Sequence, residues 1–173
     1  LDDERKGLHY LKEAMRRLVA EHSKWKDGLG LVLLGKHIDP SMCRDIPVDV
    51  YPLHYINSEK QLVDIYNAVD LLAIPSLQDN LPNTVVEAMA CGVPCIGFNV
   101  GGIPEMIDHL HNGYIAEYKN VGDLAHGIHW LLTEGEYDIL SREAARKAAT
   151  TYGENNIAMK YIAIYNQMTG KND

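Results

Sequence analysis

Short apolar runs alternate with helix-period segments along almost the whole chain, and that alternation leaves few folds open. The runs are Gly30–Gly35, Val48–Leu53, Asp70–Pro75 and Pro94–Phe98, with a last short one at Tyr114–Ala116. They are too brief for helices and too continuously apolar for a sheet with one wet face. The first helical segment runs from Gly7 to about His22, with Leu8, Leu11, Met15, Leu18 and Val19 on one face. The next runs from Ser58 to about Ala68, opened by the capping-box spacing Ser58-Glu59-Lys60-Gln61. Asn83–Cys91, stopped by Gly92, and Ile103–Asp108 follow, then Asp123–Leu132, Tyr137–Thr150 and Asn155–Met168. Lys36–Pro47 reads as loop. Strands spaced by helices predict an α/β fold, a Rossmann-like parallel sheet with helices on both faces. Ligands bind such sheets at the carboxyl ends of the strands. The loops expected to carry function therefore start at Lys36, at Leu53, at Ser76 (to Pro82) and at Asn99 (to Gly102).

The chain has 173 residues, which supplies one well-buried domain and too little for two of ordinary size. A net charge of −8 argues against nucleic acid or an anionic membrane as the main partner. No apolar run is long enough to span a bilayer. The three cysteines, Cys43, Cys91 and Cys95, lack the spacing of a disulfide framework and suit a reducing cytoplasm.

The chemistry concentrates in Ser76–Ala90, SLQDNLPNTVVEAMA. Two acids, Asp79 and Glu87, stand with seven residues between them. Between them Asn80-Leu81-Pro82-Asn83 opens a helix, and Pro82 suits its first position. The amides of Asn83 and Thr84 are then free to face an anion. Glu87 comes one turn later, among Val85, Val86, Ala88 and Met89, where a carboxylate needs a partner. A ribose diol offers one carboxylate two donors. Asp79 also suits a plain turn, and Glu is most often an exposed helical residue. A strand, an acid-bearing loop, a helix N-terminus and a second acid make a site for a ligand with phosphates and hydroxyls.

This stretch resembles the donor-site motif of retaining GT-B glycosyltransferases of family 4: an acid, seven residues, then Glu in an EAMA context. The resemblance continues through Cys91-Gly92-Val93-Pro94 and Gly101-Gly102-Ile103-Pro104-Glu105, and it starts at Lys6-Gly7. Two positions depart from the pattern. Asp79 stands where the family more often has Glu, and Pro82 where it usually has Gly. The family's phosphate-contacting Arg, about six residues before the Lys, falls ahead of Leu1, and Arg5 is a neighbour rather than a match.

The resemblance implies that residues 1–173 form one nucleotide-sugar-binding domain, the C-terminal half of a two-domain GT-B enzyme. Such an enzyme moves a hexose, with retention and no bound metal, from a UDP- or GDP-linked donor to a glycan or glycolipid acceptor, as in polysaccharide biosynthesis. By resemblance Glu87 holds the ribose and Asp79 faces the donor sugar. Lys6 offsets charge on the leaving diphosphate. Leu81, Asn83, Thr84, Gly101 and Gly102 line the donor. Glu105 opens a helix behind it. The acceptor site belongs to the N-terminal domain, so this chain alone is expected to be inactive. The final helix carries Tyr161, Ile162, Ile164 and Tyr165, for which core packing is the plain reading; exposed aromatic residues there would instead mark the contact with that other domain. A cytoplasmic location is implied, with any hold on the membrane surface left to the N-terminal domain. A GT-B-type sugar-nucleotide epimerase and a non-catalytic nucleotide-binding module are the alternatives.

Other constellations have plainer readings. Cys91-x3-Cys95 offers two ligands where structural zinc takes four. His109-x-His111 and His126-x2-His129 lack a nearby acid or Cys at ligand spacing. His54 follows a strand end near where a base would lie.

One expectation concerns the sheet itself. The family's domain begins with an apolar strand just before the Lys6-Gly7 helix, and Leu1–Glu4 is too short and too acidic to be that strand. The first strand of a doubly wound sheet lies at its centre. An unfilled central position is costly, so another segment of this chain or a strand from a second copy, giving a homo-oligomer, is expected to fill it.

Overall fold

The computed structural model describes residues 4–36 and 38–169. Among these residues five strands are formed: β1 (Gly30–Leu34), β2 (Asp49–Leu53), β3 (Leu72–Ile74), β4 (Cys95–Phe98) and β5 (Gly113–Ala116). The helices are α1 (Leu8–Glu21), α2 (Trp25–Gly28), α3 (Glu59–Tyr66), α4 (Asn83–Ala90), α5 (Ile103–Met106), α6 (Val121–Thr133), α7 (Tyr137–Lys147) and α8 (Glu154–Thr169). Every expected strand and helix is present, most of them shorter than the apolar pattern but β5, α6 and α8 longer, and the short α2 has no counterpart in that pattern. Ser58 caps α3 as its spacing foretold, its hydroxyl accepting from the Gln61 amide at 3.4 Å. Two local readings change. The helix expected to run to Thr150 stops at Lys147 and widens into a π-helical turn, Ala148–Tyr152. The loop expected at Lys36–Pro47 tightens into a 3-10 turn at Pro40–Cys43. His37 of that loop lies outside the described residues.

All strand pairs are parallel, and helices cover both faces. On one face α1 and α6 bury Leu11, Met15, Leu18, Leu124 and Ile128 against Ile96 and Phe98. On the other, α3, α4, α5 and α7 bury Tyr66, Val85, Met89, Ile103, Met106 and Ala144. These residues recur three or four apart on each long helix, the period that puts one stripe against the sheet. Strand β4 lies between the two layers and is buried along its length, which is why its sequence is apolar at successive positions. Among the described residues no helix is long and apolar enough to cross a membrane.

The sheet is in two pieces, β2-β1 and β3-β4-β5. The free edges of β1 and β3 both line one cavity of about 530 Å³. Leu8, Leu11 and Met15 of α1 wall it on one side, and Ile65, Tyr66 and Thr84 on the other. Which backbone groups face the cavity follows from the register. Leu33 sits opposite Pro52 and Leu72 opposite Cys95. Gly35 donates to the Leu53 carbonyl and Leu72 to the Pro94 carbonyl. Amides alternate sides along a strand, so those of Val32 and Leu34 on β1, and of Ala73 on β3, point into the gap. Pro52 falls on the outward side of edge strand β2, where no donor is needed. Read as strand positions, the two pieces fill 3-2 and 4-5-6 of the order 3-2-1-4-5-6 and leave position 1 open. Among the described residues the open position is thus where the resemblance placed the first strand. Its repair by another segment of this chain does not occur among the described residues, because every apolar run long enough for a strand is already used elsewhere.

Helix α8 stands apart from both cores and buries none of its residues. Tyr161 is 60 % exposed and Tyr165 62 %, with Ile162, Ile164 and Met168 exposed beside them. Core packing, the plain reading of these residues, does not occur, and the exposure that would mark a contact with another domain does.

Candidate functional site

The loop between β3 and α4 is held from three directions, and two of the contacts admit only glycine. At the first, Gly7 caps α1 with φ +65°, and a Cβ there would lie 1.9 Å from the Pro75 carbonyl oxygen. The same entry segment accepts a bond from the Leu77 amide at the Arg5 carbonyl, 2.6 Å away. At the second, Gly101 has φ +57°, and a Cβ there would lie 1.8 Å from the Asp79 carbonyl oxygen. Gly102 stacks as tightly on the Asn80 carbonyl, and its amide donates to Asp79 O at 3.3 Å. The third support is the Tyr118 hydroxyl, which donates to the Leu77 carbonyl at 3.4 Å. The chain around Lys6-Gly7, the Asp79 loop and the Gly101-Gly102 loop are therefore one backbone assembly at the carboxyl end of the sheet.

Two clusters of side chains stand on that assembly. In the first, Lys6 Nζ lies 2.9 Å from Asp79 Oδ2, and the Ser76 hydroxyl donates to the same oxygen at 3.2 Å. Ser76 is buried, the Asp79 carboxylate is mostly covered and the Lys6 side chain is half exposed. An ion pair this open adds little stability. Its consequence is positional: one cation and one carboxylate are held side by side at the carboxyl end of the sheet. In the second cluster the Tyr66 hydroxyl, at the end of α3, donates to Glu87 Oε2 at 2.9 Å. Burial first, and then the bond to Glu87, push the Tyr66 phenol well above its ordinary range, so it remains a donor at physiological pH. Lys6, Tyr66, Ser76 and Thr84 border the same cavity.

The N-terminus of α4 completes the site. Pro82 is the cap residue, with φ −64° and ψ 120°, rather than the first helical residue that the sequence indicated. The helix begins at Asn83 because ψ at Pro82 is still extended. Among the described residues no side chain caps it, so the leading amides at exposed Asn83 and Thr84 remain for a ligand or for water. Leu81 is 47 % exposed, and its Cδ2 would touch a Cβ on Gly102 at 3.0 Å. Chemically, the assembly offers a helix N-terminus and a lysine to an anion, and two carboxylates to hydroxyls.

The structure brings together Lys6, Asp79, Leu81, Gly101 and Gly102, with Asn83 and Thr84 at the head of α4 and Glu87 one turn along it. Glu105 is exposed in α5, directly behind the glycine pair. His54 instead lines a shallow hollow with Ile38, Pro40, Cys43, Val50 and Pro52. Among the remaining candidate ligands, His129 and His109 have structural duties. His129 Nδ1 accepts from Trp25 Nε1 at 3.1 Å, and its ring stacks on His22 at 3.9 Å. His109 Nδ1 accepts from the Ile115 amide. Cys91 and Cys95 are free thiols, and burial pushes the Cys95 thiol upward. Two contributors were not evident from sequence, Ser76 and Tyr66. Ser76 lies three residues before Asp79, an ordinary spacing for a side chain that hydrogen-bonds within a turn. Tyr66 gave no signal, since an aromatic residue on a helix face reads as core.

The family model for Glycosyl transferases group 1 matches residues 1–134. N,N'-diacetylbacillosaminyl-diphospho-undecaprenol alpha-1,3-N-acetylgalactosaminyltransferase of Campylobacter jejuni is 28% identical over 144 residues, 83% of this chain and 38% of that protein. Sucrose-phosphate synthase from Thermosynechococcus elongatus superposes with a TM-score of 0.79 at 22% identity, covering 98% of this chain and 44% of that one. HepE from Anabaena, solved in complex with UDP, superposes with a TM-score of 0.72 at 20% identity, over 93% of this chain and 46% of that one. The chain thus spans less than half the length of each of these proteins.

Proposed function

The chain belongs to the glycosyl transferases group 1 family, and from that premise we propose that it is the donor-binding half of a retaining, family 4-like enzyme. Its fold is that of the C-terminal domain of GT-B glycosyltransferases. The observation that carries the proposal is the joining of the Lys6, Asp79 and Gly101-Gly102 segments into one backbone assembly beside the head of α4. In the proposed complex the donor diphosphate meets the Asn83 and Thr84 amides and the Lys6 ammonium. Glu87 accepts from the ribose hydroxyls. Asp79 faces the hexose as the bond to phosphate breaks, and Lys6 stabilises the charge left on the departing diphosphate. Leu81, Gly101 and Gly102 border the sugar nucleotide. The donor is UDP- or GDP-linked; UDP is favoured because HepE was solved with it. No bound metal is assigned to the step, since Lys6 and the helix N-terminus fill the electrostatic role.

The acceptor, a glycan or glycolipid, is assigned to an N-terminal domain outside this chain, and the exposed apolar face of α8 to the contact with that domain. The Campylobacter relative is named for an undecaprenol-linked substrate, which favours a glycolipid and attachment of the whole enzyme at a membrane surface. The open strand position is assigned to the strand that the resemblance puts just before Lys6-Gly7. Glu4–Gly7 already stand at the carboxyl end of β3, where a parallel strand running through the gap would have to emerge.

The test is a calorimetric titration with UDP and GDP. One of them should bind, and Glu87→Ala should weaken it by about 1.5–3 kcal/mol, the range for hydrogen bonds to a charged group. Equal affinities for the variant and the parent protein would remove Glu87 from the site.

A further inference from the structure

The mechanism proposed above uses Glu87 but not the residue that holds it. Among the described residues, the hydrogen bond given to the Glu87 carboxylate comes from Tyr66, 2.9 Å away at Oε2. The two residues belong to neighbouring helices and lie 21 positions apart. Tyr66 is itself 4 % exposed, its ring fixed in the core layer with Val85, Ala88 and Met89. A ring so confined leaves its hydroxyl little freedom. A free glutamate on a helix samples many rotamers, and stilling it carries an entropic cost. Here a rigid phenol fixes one carboxylate oxygen and leaves Oε1 for a ligand.

From this geometry we infer that Tyr66 is a positioning residue for diol recognition. It locks the Glu87 carboxylate by binding Oε2, so that the remaining lone pairs face two adjacent hydroxyls of the nucleotide ribose. The inference rests on the assignment of Glu87 to the ribose. It adds a claim that assignment does not contain, that selectivity for the 2′,3′-diol depends on a residue that never touches the nucleotide.

Tyr66→Phe removes the hydroxyl and leaves the buried ring, so the fold should melt close to the parent temperature. The experiment measures the affinity of the full-length protein for UDP and for 2′,3′-dideoxyuridine diphosphate, for parent, Tyr66→Phe and Glu87→Ala proteins. Tyr66→Phe should weaken UDP about 5-fold and leave the dideoxy analogue within 2-fold, so that the preference for the diol shrinks. Glu87→Ala should abolish the preference, and adding Tyr66→Phe to it should change nothing further. Equal weakening of both ligands by Tyr66→Phe would reduce Tyr66 to packing and overturn the inference, as would no weakening of either. Were Glu87→Ala itself to leave the diol preference intact, the ribose assignment would fall and the role of Tyr66 with it.

Discussion

Filling the open strand position is expected to raise the stability of this domain by on the order of 5 kcal/mol. A five-residue apolar strand between β1 and β3 buries side chains worth about 10 kcal/mol in all. It makes hydrogen bonds worth about 5 kcal/mol to amides and carbonyls that now face a cavity. Ordering those residues takes back about 10 kcal/mol. At this chain length the difference corresponds to roughly 10–20 °C in melting temperature. The comparison is between this chain and one with an apolar strand fused ahead of Leu1, followed by circular dichroism and amide hydrogen exchange. In the extended protein the amides of Val32, Leu34 and Ala73 should become as protected as those of Leu33 and Leu72, which already bond β2 and β4. If the shorter chain protects Val32 and Ala73 only at high concentration, a second copy fills the slot, and the homo-oligomer takes the place of the preceding strand. Equal stability and fast exchange at those amides in both proteins would contradict the assignment of the gap to a strand.

The second large effect belongs to Asp79. In the full-length enzyme, Asp79→Asn should lower sugar transfer by about 10²–10³, the loss typical when one electrostatic contact to a transition state is removed. Donor affinity should change far less. Asp79 is mostly covered and is fixed by Lys6 at 2.9 Å and by Ser76 at 3.2 Å. The amide is nearly isosteric but carries no charge to set against the reacting sugar, and it gives Lys6 no counter-ion. Asp79→Glu should retain activity if the longer side chain usual in the family fits the same space. A variant with normal turnover and weakened nucleotide binding would place Asp79 on the phosphates instead.

The fold was legible in the sequence because its alternation of short apolar runs with amphipathic helices has few solutions. Among the described residues the centre of the sheet is open, as expected from the resemblance, which puts a strand before Lys6-Gly7. The candidate site was legible where its geometry is local. Asp79, Pro82 and Glu87 lie on one short stretch, and glycine at 101 and 102 marks a close approach of backbone. Two things escaped because they depend on tertiary packing. Tyr66 reaches Glu87 across two helices, and nothing in the pattern around Tyr66 distinguishes it from a core aromatic. Pro82 was read as the first helical residue because proline favours that position. Its extended ψ of 120° makes it the cap instead. The spacing of histidines and cysteines carried no ligand information: Trp25 and a backbone amide occupy Nδ1 of His129 and His109.

The central claim is that this backbone assembly receives a nucleotide sugar. It is tested most directly by titrating isotopically labelled protein with UDP and following the backbone amide resonances. The account predicts that Asn83, Thr84, Gly101 and Gly102 shift together with a single saturation curve, while the amides around Ile38 and His54 stay still. No saturable shift at the head of α4, or shifts gathered around the His54 hollow, would contradict it.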